Sequence, residues 1–253
     1  MRFASLGSGS RGNGTLVEHL GTLLLVDCGF GLAETEFRMS RLGKKPDELS
    51  GILVTHEHSD HLSGVARLAN KYQIRIYLTA GTYHQSQISG KMPIELINSH
   101  RAFVIGDIEI QPVLVPHDAR EPCQYIFKHD EARLGLLTDI GSVTPFVKKH
   151  YDGLDALLLE CNYDPAMLQA GRYPHKLKQR ILGSYGHLSN KQSADLLASL
   201  DLGRMQHLVL SHLSQQNNTP ELALSEVEKT LGKQCSWLSV SDQETGFPWR
   251  EIR

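Results

Sequence analysis

The sequence predicts a layered α+β fold in which apolar strands form the interior and helices cover them. Two observations lead there. Short Leu-, Val- and Ile-rich runs alternate with segments of helical spacing in both halves of the 253 residues, which is the pattern of strands packed between helices. Each chemically capable residue of interest directly follows one of those runs, and strand ends hold side chains rigidly enough to build a site. With 40% hydrophobic residues and no long linker, repeat or low-complexity tract, residues 1–253 are expected to form a single domain with a sizeable core.

Taken in order, Phe3-Ala4-Ser5-Leu6 reads as a strand entering a loop, Gly7 to Thr15, with four glycines, several hydroxyls and Arg11. Such a loop can expose backbone N–H groups to an anion, through Ser8, Ser10, Gly12 and Asn13, or can simply connect two strands. It matches neither the dinucleotide fingerprint nor the P-loop. Gly21 to Val26 is a strand ending in Asp27-Cys28-Gly29, where Asp27 also suits a turn. Gly51 to Thr55 is a buried strand that runs into His56-Glu57-His58-Ser59-Asp60-His61, and helical spacing follows from Leu62 to Ala69.

That hexapeptide places four potential metal ligands within six residues of a chain holding thirteen histidines. Alternate residues of an extended segment share a face, so His56 and His58 point together while Asp60 and His61 turn away as the helix starts. One short segment can thereby serve two adjacent ions. Without a cation, crowding imidazoles and a carboxylate would cost desolvation and ordering entropy. Further runs end in His117 (after Val113 to Pro116), Asp139 (after Leu134 to Thr138), Glu160 (after Leu157 to Leu159) and His212 (after His207 to Ser211).

His-x-His-x-Asp-His after an apolar strand, with the later motifs in the same order, resembles the metallo-β-lactamase-fold hydrolases. The resemblance implies a four-layer αββα sandwich with two mixed sheets face to face. It implies His56, His58 and His117 on one metal, Asp60, His61 and His212 on a second, Asp139 bridging, and Asp27 orienting the ligand loop from behind. Two divalent ions about 3.5–4 Å apart can share a hydroxide and stabilise attacking and leaving oxygens. Ligands without thiolate suit Zn²⁺ or Mn²⁺, with Fe also compatible. The diiron oxidoreductase branch carries a carboxylate where this chain has His58, so hydrolysis is favoured.

Ser189 and Gln192 have capping-box spacing ahead of a helix, which sets His187 on a pinned loop at a helix N-terminus. There His187 and Ser189 can meet a phosphoryl oxygen, or His187 can protonate a leaving group. The pairing of His187 with a strand-end Glu160 resembles that of tRNA 3′-processing endonucleases and related phosphodiesterases. A capping-loop histidine and a solvated glutamate are the plainer alternatives. The glycine loop, Pro116-His117-Asp118-Ala119 and Gly186-His187-Leu188-Ser189-Asn190 together resemble the YycJ/WalJ-like bacterial subgroup, regarded as 5′-to-3′ DNA exonucleases. Only twenty-one residues separate His117 from Asp139, too few for a tRNA-binding arm, and only seventy-two separate Asp139 from His212, too few for a β-CASP domain.

The expected function is therefore a dinuclear metal-dependent phosphodiesterase on nucleic acid, a 5′-to-3′ DNA exonuclease. Catalysis would rest on Asp60, His187 and Glu160, with a metal-bound hydroxide attacking phosphorus. A small-molecule phosphodiesterase, a thioester hydrolase or a non-catalytic metal-binding regulator are the alternatives. A net charge of −2 weighs against avid nonspecific nucleic-acid binding. Positive charge gathers in Arg172 to Arg180, which can guide a polyanion, with Tyr173 or Tyr185 stacking on a base, or can be a solvated helix face. Glu221 to Glu228 reads as an exposed acidic helix after Pro220. Cys28, Cys123, Cys161 and Cys235 lack C-x-x-C pairing and read as buried thiols. With no signal-like or membrane-spanning apolar run, a cytoplasmic protein is expected, and a homodimer is compatible with the fold.

Overall fold

A computed structural model describes residues 1–86, 88–232 and 235–253. The first six strands are β1 (Arg2–Gly7), β2 (Gly14–His19), β3 (Thr22–Val26), β4 (Gly51–Leu53), β5 (Ile76–Thr79) and β6 (Ile94–Ile97). The next seven, β7 (Phe103–Ile105), β8 (Ile108–Leu114), β9 (Cys123–His129), β10 (Ala132–Leu137), β11 (Ala156–Glu160), β12 (His207–Ser211) and β13 (Leu238–Val240), build a second sheet, and β14 (Phe247–Glu251) returns to the first. Among the described residues the sheet orders are β14-β1-β2-β3-β4-β5-β6 and β13-β12-β11-β10-β9-β8-β7. Both sheets are mixed: hairpins β1–β2–β3 and β8–β9–β10 are antiparallel, whereas β3–β4–β5 and β10–β11–β12 are parallel.

The four layers follow from strand alternation. Leu24, Val26, Leu136, Leu158 and Val209 face the neighbouring sheet and share one buried cluster with Tyr125 and Phe127. Their neighbours in sequence face outward: Leu23 and Leu25 pack under α1 (Leu32–Arg41) and α3 (Val65–Tyr72) with Met39 and Leu68. Leu157, Leu159, Leu208 and Leu210 pack under α5 (Pro145–Tyr151), α8 (Asn190–Ala198) and α9 (Pro220–Leu231). Strands covered on both faces read as continuous apolar runs, which is why the central ones lack polar alternation. The remaining helices are α2 (Ser59–Leu62), α4 (Ala80–Ser86), α6 (Pro165–Ala170) and α7 (His175–Leu182). No described helix is long and apolar enough to cross a membrane.

The helix expected over Leu62 to Ala69 is broken into α2 and α3. At Gly64 the chain is pressed against the α1 approach, its N–H donating to the Cys28 carbonyl at 2.8 Å, and a Cβ there would fall on the Phe30 carbonyl. The helix after Pro220 forms as expected, capped by Thr219, whose side chain accepts the Leu222 N–H.

Candidate metal centre

Strands β3, β4, β8, β10, β11 and β12 deliver their C-terminal ends to one edge of the sandwich, and the ligand candidates follow four of them: His56, His58, Asp60 and His61 after β4, His117 after β8, Asp139 after β10 and His212 after β12. Three of these strand ends pass through left-handed backbone at non-glycine residues: Asp27 (φ 59°), Asp139 (φ 52°) and His212 (φ 57°). Asp and His tolerate this region better than most residues, and strain of this kind gathers where side chains must be aimed. The Asp27 loop is locked to the ligand loop by Cys28 N–H donating to the His61 carbonyl (2.7 Å) and Asn13 N–H donating to the Asp60 carbonyl (2.8 Å). Contact there is so close that a Cβ on Gly29 would overlap the Asp60 carbonyl.

Among the described residues, four sets of donor atoms converge within 4.8 Å of one another: His56, His58 and His117; His56, His61 and Asp139; Asp60, His61 and His212; and Asp139, Glu160, His187 and His212. In the hydrogen-bonding pattern each histidine of the first three sets spends one ring nitrogen on the protein. Thr55 Oγ1 donates to Asp27 Oδ2 (2.8 Å) and so accepts from His56 Nδ1 (2.9 Å). His61 Nδ1 donates to Asp27 Oδ2 (2.8 Å), His117 Nδ1 to the Gly186 carbonyl (3.0 Å) and His58 Nε2 to the Asp118 carbonyl (3.2 Å). His212 Nδ1 lies 3.3 Å from Glu160 Oε1. These bonds fix the tautomers and leave the opposite nitrogens as lone pairs facing inward.

Left unprotonated, several of those nitrogens meet other acceptors, although His61 Nε2 also lies 3.1 Å from the Asn13 amide nitrogen. His58 Nδ1 and His117 Nε2 lie 3.3 Å apart, His61 Nε2 lies 3.1 Å from Asp139 Oδ2, and His56 Nε2 and Asp139 Oδ2 are buried without a hydrogen-bond partner. Acceptors converging on acceptors in a buried site fit cations, and the histidine and carboxylate donors suit zinc or manganese. In the metal-free chain protons carry the compensating charge. Burial opposes charging His61, yet Asp139, Asp60 and Asp27 hold its pKa well above the ordinary value. His212, likewise against burial, is pushed up to about 10, chiefly by Asp139. Burial would raise the Asp60 and Asp139 carboxyls, but His61 and His212 hold both well below the usual range. His56 goes the other way, lowered by burial and by His61. Cation binding must displace the protons on His61 and His212.

Glu160, fully buried at the end of β11, ties three loops together. Its carboxylate accepts Asp139 N–H (3.2 Å), Ile140 N–H (3.2 Å), Leu188 N–H (2.9 Å) and His187 Nδ1 (2.7 Å). It is no solvated strand end. Burial would lower the His187 pKa, but Glu160 raises it, which keeps a proton on this imidazole. His187 lines a cleft of about 360 Å³ together with His58, Asp60, Asp139 and His212.

The loop expected to bind phosphate is largely spent on the protein itself. Of its residues, Ser10 alone lines that cleft. Ser8 Oγ accepts the His212 N–H (2.9 Å), and Asn13 spends its amide on Gly9 and on the Asp60 carbonyl. Gly12 is packed against the Phe30 ring, and Ser189 is consumed by the capping box with Gln192. Ser8, Asn13 and Ser189 thus hold the protein's own loops, and only Ser10 of the expected set faces the cleft. Asp27, by contrast, orients His61 and Thr55 as described. Tyr185 is exposed and outside the cleft lining, whereas Tyr173 and Arg180 line it. Ser59, Asn162 and Ser214 also line the cleft, with no strand-end or spacing signal to single them out beforehand.

A family described as a Beta-lactamase superfamily domain matches residues 22–213, most of the chain and all seven ligand candidates. The chain belongs to the metallo-β-lactamase superfamily. It is 37% identical over 235 residues to the exodeoxyribonuclease YycJ of Bacillus anthracis, covering 91% of this chain and 89% of that protein. It is 36% identical over 228 residues to the exodeoxyribonuclease WalJ of Streptococcus pneumoniae, covering 88% and 85%. Among solved structures, the metallo-β-lactamase-fold protein YhfI from Bacillus subtilis superposes with a TM-score of 0.76 at 16% identity, over 98% of both chains. Zn²⁺-bound PqqB from Methylobacterium extorquens superposes with a TM-score of 0.75 at 16% identity, over 100% of both. At that identity the two structures speak for the fold alone. The superfamily and the His/Asp clusters together make this chain a metal-dependent hydrolase.

Proposed function

We propose that this hydrolase is a DNA exonuclease that cleaves phosphodiesters from the 5′ end, acting as one cytoplasmic domain. The observation that carries the reading is the Glu160–His187 pair, 2.7 Å apart and set beside the His/Asp ligand set, of which His58, Asp60, Asp139 and His212 line one cleft with His187. Homology to two proteins named exodeoxyribonucleases over about nine-tenths of the chain supports DNA as the polymer. His56, His58 and His117 would hold one ion, Zn²⁺ or Mn²⁺, and Asp60, His61 and His212 a second, with Asp139 as a further ligand. When bound, such a pair supplies Lewis-acid activation of water and neutralises charge on the phosphoryl oxygens.

The chain's own residues do the rest. Asp27 and Thr55 aim His61 and His56; Glu160 sets the Asp139 and His187 loops at a common spacing. With Nδ1 bound to Glu160, His187 presents its other nitrogen, Nε2, as the proton source for a departing 3′-oxygen. Assembly is a separate question, and sedimentation of the full chain decides between the homodimer compatible with the fold and a monomer. The function is tested with single-stranded DNA blocked at one end by consecutive phosphorothioates. Cleavage of the 3′-blocked strand and protection of the 5′-blocked one is expected; the reverse pattern refutes the polarity, and internal cuts in both refute the exonuclease reading.

A further inference from the structure

Helix α7 forms one wall of the cleft yet contributes no buried residue to the fold. Leu177, Arg180 and Ile181 lie on its cleft side at helical spacing, and Tyr173 from the preceding turn extends the same stripe. A cleft-facing helix face that sets a guanidinium between the half-buried Leu177 and Ile181 has the composition of a recognition surface. Arg180 is partnered in a telling way. Its Nε donates to Asp118 Oδ2, while Asp118 Oδ1 stands 3.7 Å from His58 Nε2 and 3.5 Å from His117 Nε2. The cation is therefore one carboxylate away from the His56, His58 and His117 set.

We propose that Arg180 grips the substrate phosphate adjacent to the one being cleaved, with Tyr173 and Leu177 receiving the intervening base. This rests on the phosphodiesterase reading above and assigns to α7 the contact that makes the substrate a polymer. The Arg180 side chain is 57% exposed, and an ion pair this open is worth little, so exchange of Asp118 for a phosphate is cheap. The planar guanidinium suits a bidentate phosphate contact that lysine, a point charge, would not reproduce. In the unliganded chain the same pair neutralises Asp118, whose charge would otherwise repel an incoming polyanion. An aromatic face beside the cation is the usual provision for stacking a base without reading its sequence.

The test is a cycle between protein and substrate. Oligodeoxynucleotides carry one neutral methylphosphonate linkage on either side of the scissile phosphate, and metal-loaded wild type, Arg180→Ala and Arg180→Lys are compared. On unmodified DNA, Arg180→Ala should lower kcat/KM by about tenfold to a hundredfold, the scale of a lost charge-assisted hydrogen bond, with lysine restoring only part. On one of the two modified strands wild type should fall by the same factor, and Arg180→Ala should then cost nothing further. An equal loss on every substrate, as a structural role would give, overturns the proposal, and so does no loss on any. Anisotropy binding of the same strands in EDTA reads the contact without turnover. An Arg180 effect there with no cleavage by wild type defeats the exonuclease reading alone; cleavage with no Arg180 effect in either assay defeats this inference alone.

Discussion

Replacing Glu160 with glutamine is the perturbation whose cost the structure lets one work out. The carboxylate is fully buried and holds donors on both oxygens: Asp139 N–H and His187 Nδ1 on Oε1, with His212 Nδ1 at 3.3 Å, and Ile140 N–H and Leu188 N–H on Oε2. Glutamine keeps one oxygen and points an NH₂ at the other set, so whichever way the amide turns, at least two buried donors lose their acceptor. At about 1–3 kcal/mol for each unsatisfied donor the cost is about 2–6 kcal/mol, in line with about 3–5 kcal/mol for breaking a buried ion pair. Urea unfolding of the metal-free protein, followed by circular dichroism, should show a loss of that size with an unchanged slope. A change below about 1 kcal/mol would mean that the loops after β10 and before α8 do not depend on this carboxylate.

Three further outcomes are expected. His187→Ala should cost about 10²–10⁴-fold in kcat on DNA, whose alkoxide leaving group needs a proton, and far less on a p-nitrophenyl phosphodiester, whose phenolate does not; equal losses would remove His187 from proton transfer. Asp27→Asn should weaken metal retention by about 10–100-fold in a chelator competition, since Asp27 orients both His61 and the Thr55–His56 pair; unchanged affinity would contradict that role. Cys28, Cys123 and Cys161 are buried, with thiols pushed up to about 11, about 12 and about 12 by desolvation. All three should resist a disulfide reagent at pH 8 until denaturant is added, and rapid labelling in buffer would contradict the packing described.

Much of this architecture was legible because its strands carry their meaning locally. The C-terminal halves of β10, β11 and β12 are buried apolar runs with the candidate at or within two residues of their end, so Asp139, Glu160 and His212 could be placed from neighbours in sequence. Side chains whose role depends on a distant loop were not legible in the same way. Asn13 shows this best: its sequence context, glycine and hydroxyl residues, suggests an anion nest, but its amide is spent on a carbonyl 47 positions away at Asp60. Ser189 illustrates a conflict between two local readings. The spacing that identifies it as a cap also removes its hydroxyl from any phosphate. The break at Gly64 and the Asp118–Arg180 pair depend on close approaches between segments far apart in the chain, which periodicity does not encode.

The proposed function requires that the converging His and Asp lone pairs hold two ions which serve phosphodiester cleavage. Titrating metal-free protein with Mn²⁺ or Zn²⁺ while following release from 5′-labelled single-stranded DNA, with bound metal measured on the same samples and Asp60→Ala alongside, tests it most directly. Cleavage should saturate at two ions per chain and be lost in the Asp60 variant. Two bound ions with no cleavage of any phosphodiester, or undiminished cleavage in the variant, would contradict the proposed function.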